Sequence, residues 1–294
     1  MEGDAWQARA RDMRGAAWMI VSAISLVVGI SIIKRLAADL PEPVLVLARF
    51  AFALAFFGPS IGVHGFALLR THRLGRHALR AACGYAGFLC FVYAAARMPL
   101  ADAMALGFTQ PLWAAVLAAL ALGERLGAAR IAALAVGFAG AMLVLRPGFA
   151  ATPALPALAA LANAVLTSVA MMSVKRLAET EPPARIALMF LMVATALSVP
   201  GAAAAWTTPD LAALPWLVAT GGCAWLSQIG LTRGYALGRF STMAAMDFAR
   251  LPAALALGWA VFGEVPDAAA LAGIALIGGA STAIVLSRPR GTGG

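Results

Sequence analysis

Apolar residues along the chain fall into ten runs of membrane-spanning scale, separated by short polar or Gly/Pro-bearing breaks. In the first half they cover residues 15–33, 43–63, 81–96, 101–122 and 130–145. In the second half they cover 154–174, 185–206, 214–232, 242–262 and 268–287. A helix crossing a hydrocarbon core of about 30 Å needs roughly 20 mostly apolar residues. Breaks such as Lys34-Arg35-Leu36, Gly123-Glu124-Arg125 and Gly263-Glu264-Val265-Pro266-Asp267 carry the turn and charge signals that end one run and start the next. The pattern predicts an all-α polytopic membrane protein of ten helices. No secretory cleavage pattern follows the first run, so that run is expected to be retained as a helix. An outer-membrane barrel would show alternating segments of about ten residues instead.

Composition agrees. Of 294 residues, 62% are apolar and 12% are charged, against about 25% charged in a soluble domain. Ten spans leave only short connections and no room for a separate soluble domain. The formal charge of +9 is sided. With the N-terminus inside, 16 of the 22 Lys and Arg residues fall on inner segments and 4 on outer loops, and Arg49 and Arg250 lie within spans. The positive-inside rule then predicts an inner (plasma) membrane protein with both termini in the cytoplasm. The inner basic residues, notably Arg70, Arg73, Arg76 and Arg80, are expected to meet anionic lipid headgroups. Nucleic acid is not expected as a partner.

The two halves repeat. Lys34-Arg35-Leu36-Ala37 returns as Lys175-Arg176-Leu177-Ala178, Phe108 as Phe248, Gly123-Glu124 as Gly263-Glu264 and Arg146-Pro147 as Arg288-Pro289. All four matches keep one order and nearly one offset, which defines units at residues 14–150 and 154–290. Five helices per unit is an odd number, so the second copy enters the membrane from the opposite side. Such inverted repeats place a substrate at their interface near the midplane and alternate access by rocking. A rival membrane-embedded enzyme or lipid-handling scaffold would need a catalytic polar cluster near one interface, which the loops do not offer.

Charge inside the bilayer is rare and points to function or to internal pairing. Asp247 and Arg250 are three residues apart in the ninth run, and so share a helical face. Two readings stand: an ion pair that orients the helix, or Arg250 meeting an anionic group of the substrate while Asp247 tunes it or carries a proton. Gln110 and Pro111 in the fourth run, and Pro252 in the ninth, mark helix bends that free backbone carbonyls. Arg49, seven residues into the second run, is expected to snorkel outward. Asn163 with Thr167, Ser22 with Ser25, and Trp225 with Gln228 each share a helix face, as interhelical bonding or cavity wall. Trp113, Tyr85 and Tyr93 are further candidates for the wall. Gly230, Gly234 and Gly238 offer a helix-contact surface, and a homo-oligomer stays open. Cys83, Cys90 and Cys223 read as packing residues, and His64, His72 and His77 lack metal spacing. No metal or cofactor is expected.

Met98-Pro99-Leu100-Ala101-Asp102-Ala103 with Phe108, Pro111 and Gly123-Glu124-Arg125 resembles the fourth helix of the drug/metabolite transporter superfamily, EamA type. Leu257-Gly258-Trp259 through Gly263-Glu264-Val265-Pro266-Asp267 resembles its counterpart in the second half, and Arg49-Phe50 fits the second helix. The resemblance implies a secondary transporter of a small metabolite, amino acid-like or otherwise polar or amphipathic. It implies a central cavity walled by helices 1, 3, 4, 6, 8 and 9. Export is the expected direction, with uptake of the S-adenosylmethionine or riboflavin type as the alternative. Gln110, Trp113, Asn163, Trp225, Gln228, Asp247 and Arg250, read from their positions in the spans, are the substrate-site candidates. The first helix lacks the membrane-embedded Glu of proton-coupled multidrug members, which leaves Asp247 as the candidate for coupling.

Overall fold

A computed structural model of the chain describes residues 2–59, 69–95, 97–98, 103, 106–123, 127–145, 154–262 and 267–286. Among the described residues the secondary structure is helical, without strands. The helices are α1 (Glu2–Leu36), α2 (Glu42–Ala55), α3 (Leu74–Ala95), α4 (Gln110–Leu122), α5 (Ala128–Leu145), α6 (Ala154–Leu177), α7 (Pro183–Ala204) and α8 (Leu214–Leu237). They are followed by α9, in two pieces (Phe240–Ala245 and Arg250–Phe262) joined by a 3₁₀ turn (Met246–Ala249), and by α10 (Ala268–Leu286). By length and composition, the Ala10–Ile33 part of α1 together with α6 and α7 can each cross a membrane alone.

Local sequence explains where the helices start and stop. A proline stands in the first turn of α2, α4, α7 and α8, where its missing N–H leaves no intrahelical bond unmade. Gly123 ends α4 at φ 64°, a left-handed cap that glycine adopts without a Cβ clash. Lys175 and Arg176 close α6 on the favourable side of its dipole.

The main helix contacts keep their pattern when each helix is exchanged for the one five places later. The α1–α8 contact becomes α6–α3, and these are the two largest helix contacts in the bundle. The α2–α7, α4–α9 and α5–α10 pairs map onto themselves. A twofold-like axis therefore runs through those three pairs. Phe108 and Phe248, equivalent in the two halves, stack on each other across it at 6.1 Å and 15°. Close approach of α1 and α8 uses small residues: Ser22 Oγ donates to the Ser227 carbonyl at 2.8 Å, and Gly230 and Gly234 lie against the Trp18 and Gly15 carbonyls. The glycines at 230, 234 and 238 thus serve contacts within the chain, Gly238 facing Met243.

One difference from the hydropathy pattern is in α3, which begins at Leu74 rather than near Ala81. Arg76, His77 and Arg80 stand on this helix and not in a loop. Arg80 is 2% exposed, so it does not face headgroups as the pattern predicts. Arg130 is buried too and reaches Ser241 Oγ at 3.2 Å. Hydropathy reads such residues as loop because it scores each side chain alone, whereas a bundle interior supplies partners.

The end of the bundle carrying the N-terminus is laced by polar bonds. Asp12 of α1 accepts from the Arg239 backbone N–H at 2.9 Å and its Nε at 2.8 Å. Lys175 Nζ donates to the Gly238 carbonyl at 2.6 Å, and Arg176 Nη2 to the Ala121 carbonyl at 2.8 Å. Glu181, between α6 and α7, accepts from Thr71 Oγ1 at 2.5 Å and pairs with Arg185. Burial alone would push its carboxyl up. The bonds from Thr71 and Arg185, with the charges of Arg185 and His77, outweigh burial and hold it below the usual carboxylate range. His77, in the first turn of α3 ahead of the apolar run, is pushed below the usual imidazole range by burial, opposed by Glu181 and assisted by Arg185.

Both depressed values act in one direction. The unfolded chain takes up the proton first, so stability falls as pH drops below about 6.5 for His77 and again below about 4.3 for Glu181. Melting temperature followed in detergent against pH is expected to show both losses. His77→Gln is expected to remove the upper one and leave the lower.

Candidate functional site

The site grows from two broken helices. Thr109 precedes α4 with its Oγ1 turned back to donate to the Leu106 carbonyl at 2.6 Å, and the turn at 108–109 immediately precedes Gln110 and Pro111. In α9 the 3₁₀ turn at 246–249 immediately precedes Arg250 and Pro252. Pro252 has no N–H for the Phe248 carbonyl, which removes an i→i−4 bond where the backbone tightens. The two prolines therefore sit at the starts of regular segments, rather than bending continuous helices as their mid-run positions suggest. The breaks are equivalent in the two halves and meet at the axis.

There the 3₁₀ turn buries Asp247, 4% exposed. Its Oδ1 pairs with Arg250 Nη2 at 3.0 Å, and its Oδ2 accepts from Gln110 Nε2 at 3.0 Å. Ser168 Oγ of α6 lies 3.0 Å from the Gln110 carbonyl and donates to it or to Ala164. A carboxylate with an opposite charge on one oxygen and an amide on the other is fully engaged. Arg250 is different: its side chain keeps 28% exposure, so the guanidinium has donors left for a ligand.

Asn163 joins this group at one remove. It accepts from Thr167 Oγ1 at 3.2 Å and faces Gly107, beside the α4 break. Gln228 of α8 lies in a second polar group, where its Oε1 accepts from Arg80 Nη2 at 3.4 Å. The structure does not bring Trp113 or Trp225 to these atoms. Trp113, 40% exposed, lines up with Val116 and Leu120 on an exposed apolar stripe of α4. Trp225 stacks on Phe56 at 6.0 Å and packs edge-on to Phe57. Tyr85 donates to the Leu197 carbonyl on an exposed face, and Tyr93 carries Arg97 over its ring.

Arg49 does not snorkel. Its Nη1 is buried without a hydrogen-bond partner, against Gly29 of α1 and Cys223 of α8. Sequence reasoning missed Ser168, Arg80 and Tyr235. Only Arg80 carries a signal in the sequence, being an ionisable residue within four places of an apolar run. At the opposite end of the bundle, a cavity of 540 Å³ is lined by Arg35, Asp39, Thr207, Asp210 and Trp216. Among the described residues no group of His, Cys, Asp or Glu could hold a metal ion.

The chain is similar to known proteins. The model of the EamA-like transporter family matches residues 13–146. A riboflavin transporter of Rhizobium johnstonii is 32% identical over 286 residues, 95% of this chain and 93% of its own. The pseudopaline exporter of Pseudomonas aeruginosa is 29% identical over 88% of this chain and 91% of its own. A crystal structure 23% identical superposes with TM-score 0.78, covering 91% of this chain and 95% of its own, and shares the fold. With its helical bundle and its near-complete match to a transporter above 30% identity, the chain belongs to the EamA-like transporter family and is a membrane transporter of small molecules.

Proposed function

We propose that the protein carries a small amphipathic metabolite across the plasma membrane by alternating access, with riboflavin the first substrate to test. The moving units are residues 14–150 and 154–290. Both termini face the cytoplasm, where the outward-pointing basic residues meet anionic lipid. One observation carries the reading: Gln110, Asp247 and Arg250 converge at two equivalent helix breaks on the axis between the halves. Broken helices at a repeat interface are where secondary transporters bind substrate. The full-length similarity to a riboflavin transporter supports the substrate.

A second reading, export of an acidic metabolite, is favoured by the interior charges. Arg49, Arg80 and Arg250 lie in the bundle with Asp247 as the carboxylate at the site. Labelled riboflavin and a labelled dicarboxylate, each offered to proteoliposomes with and without a pH gradient, separate the two. The expected result is riboflavin flux well above protein-free vesicles. Flux of the dicarboxylate alone would overturn riboflavin as substrate, and flux of neither would overturn both.

A further inference from the structure

The axis does not end at Gln110 and Asp247. Between those residues and the α2–α7 pair it passes between α3 and α8, which make little direct helix contact. Arg80 bridges them. Its guanidinium donates from Nη2 to Gln228 Oε1 at 3.4 Å, lies over the Phe190 ring at 4.1 Å, and folds across Gly84, where a Cβ would come within 2.5 Å of Nη1. Arg80 is 2% exposed, its Nε has no hydrogen-bond partner, and no carboxylate among the described residues pairs with it. A guanidinium taken out of water without a counter-charge is strongly disfavoured, and one aromatic face offsets only part of that.

Tyr235 comes from α8, the helix that also carries Gln228. It is fully buried and packs on Phe240 at 5.5 Å. It shares a buried cluster with Ala114 of α4 and with Met246, the neighbour of Asp247, and its Oη also has no hydrogen-bond partner. Helical side chains lean toward the helix N-terminus, so Tyr235, in the last turn of α8, points back along the helix and into the bundle. Buried polar atoms are nearly always bonded, and an orphan needs an explanation. Here two orphaned donors, Arg80 Nε and Tyr235 Oη, come from α3 and α8, the equivalent helices of the two halves.

We propose that Arg80, Tyr235 and Gln228 form a second part of the substrate site, a subsite of hydrogen-bond donors that takes a carbonyl or carboxylate edge of the ligand. This rests on the reading that the axis binds substrate. With Arg250 at the Asp247 break, the chain offers donors to acceptors at both ends of one small molecule. The α3–α8 gap parts to admit it, and the orphaned donors find their partners on the ligand.

Tyr235→Phe is the decisive variant, because it removes an oxygen that bonds nothing in the protein. If that oxygen is only structural, its loss leaves ligand affinity unchanged. The purified protein is titrated by thermal shift with riboflavin, which is neutral and carbonyl-bearing, with glutarate, and with choline as a cation that carries neither a carbonyl nor a carboxylate. Riboflavin or glutarate is expected to raise the wild-type melting temperature, and choline is not. Tyr235→Phe is expected to melt at or above the wild-type temperature without ligand, and to need about fivefold more ligand for half-saturation. Arg80→Gln is expected to need about tenfold more, with Arg80→Lys intermediate. Wild-type half-saturation in both Tyr235→Phe and Arg80→Gln would overturn the subsite, even if riboflavin is transported. Glutarate acting alone, with both variants weakened, would keep the subsite and overturn riboflavin as substrate. Failure of both acceptor probes on the wild type would overturn the subsite.

Discussion

Asp247→Ala is expected to abolish most transport and to lower the melting temperature of the purified protein. The substitution leaves Arg250 without its counter-charge and Gln110 Nε2 without an acceptor, both at the axis. Removing one member of a buried pair costs about 3–5 kcal/mol, and the lower figure applies because the Arg250 side chain is only partly buried. Flux in proteoliposomes is expected to fall by more than about tenfold, through loss of the ordered break as well as of affinity. Asp247→Asn separates charge from shape. The amide oxygen still accepts from Gln110, so an ion pair that only orients α9 predicts partly retained flux with its response to a pH gradient intact. Proton coupling through Asp247 predicts that Asn keeps exchange at equal pH and loses the gradient response. Wild-type flux in both variants would remove Asp247 from the site.

Gly221→Ala is expected to destabilise the bundle by about 3 kcal/mol, the upper end of what one misplaced methyl does in a packed core. A Cβ at this position would lie 2.3 Å from the Phe52 Cβ, 2.9 Å from the Phe52 carbonyl carbon and 3.0 Å from the Ala53 nitrogen. Two of those atoms are backbone, so no side-chain rotation relieves the clash and α2 must move away from α8. Melting temperature in detergent measures the loss. Gly278→Ala is the control, since a Cβ there meets nothing within 4 Å. It is expected to be neutral or to stabilise α10 by up to about 1 kcal/mol through helix propensity. Equal melting of the two variants would mean that α2 and α8 do not pack as described.

The repeat was legible because it leaves two independent traces. Matched segments at one offset mark equivalent places, and the Phe108–Phe248 stack is a contact between two such matched residues. Asp247 and Arg250 stood out because charges inside apolar runs are rare. Gln110 stood out through its neighbour Pro111. The polar side chains at the start of α3 were illegible for the same reason. Arg76, His77 and Arg80 interrupt the hydropathy signal, which reads polar residues as loop whether water or a partner meets them. Tyr235 and Ser168 gave no signal, since a phenol and a hydroxyl in an apolar helix usually reflect ordinary packing.

The sequence by itself determined the all-helical class, the number of helices and the placement of Asp247 and Arg250 within one apolar run. Each follows from transfer energy and spacing, which are properties of short stretches of chain. Tertiary structure alone decided that Gln110 completes the Asp247 site from 137 residues away. It also turned Arg49 inward and buried Arg80 between α3 and α8. Those outcomes depend on which helix faces meet, and a hydrogen bond between distant segments leaves no periodicity in either one.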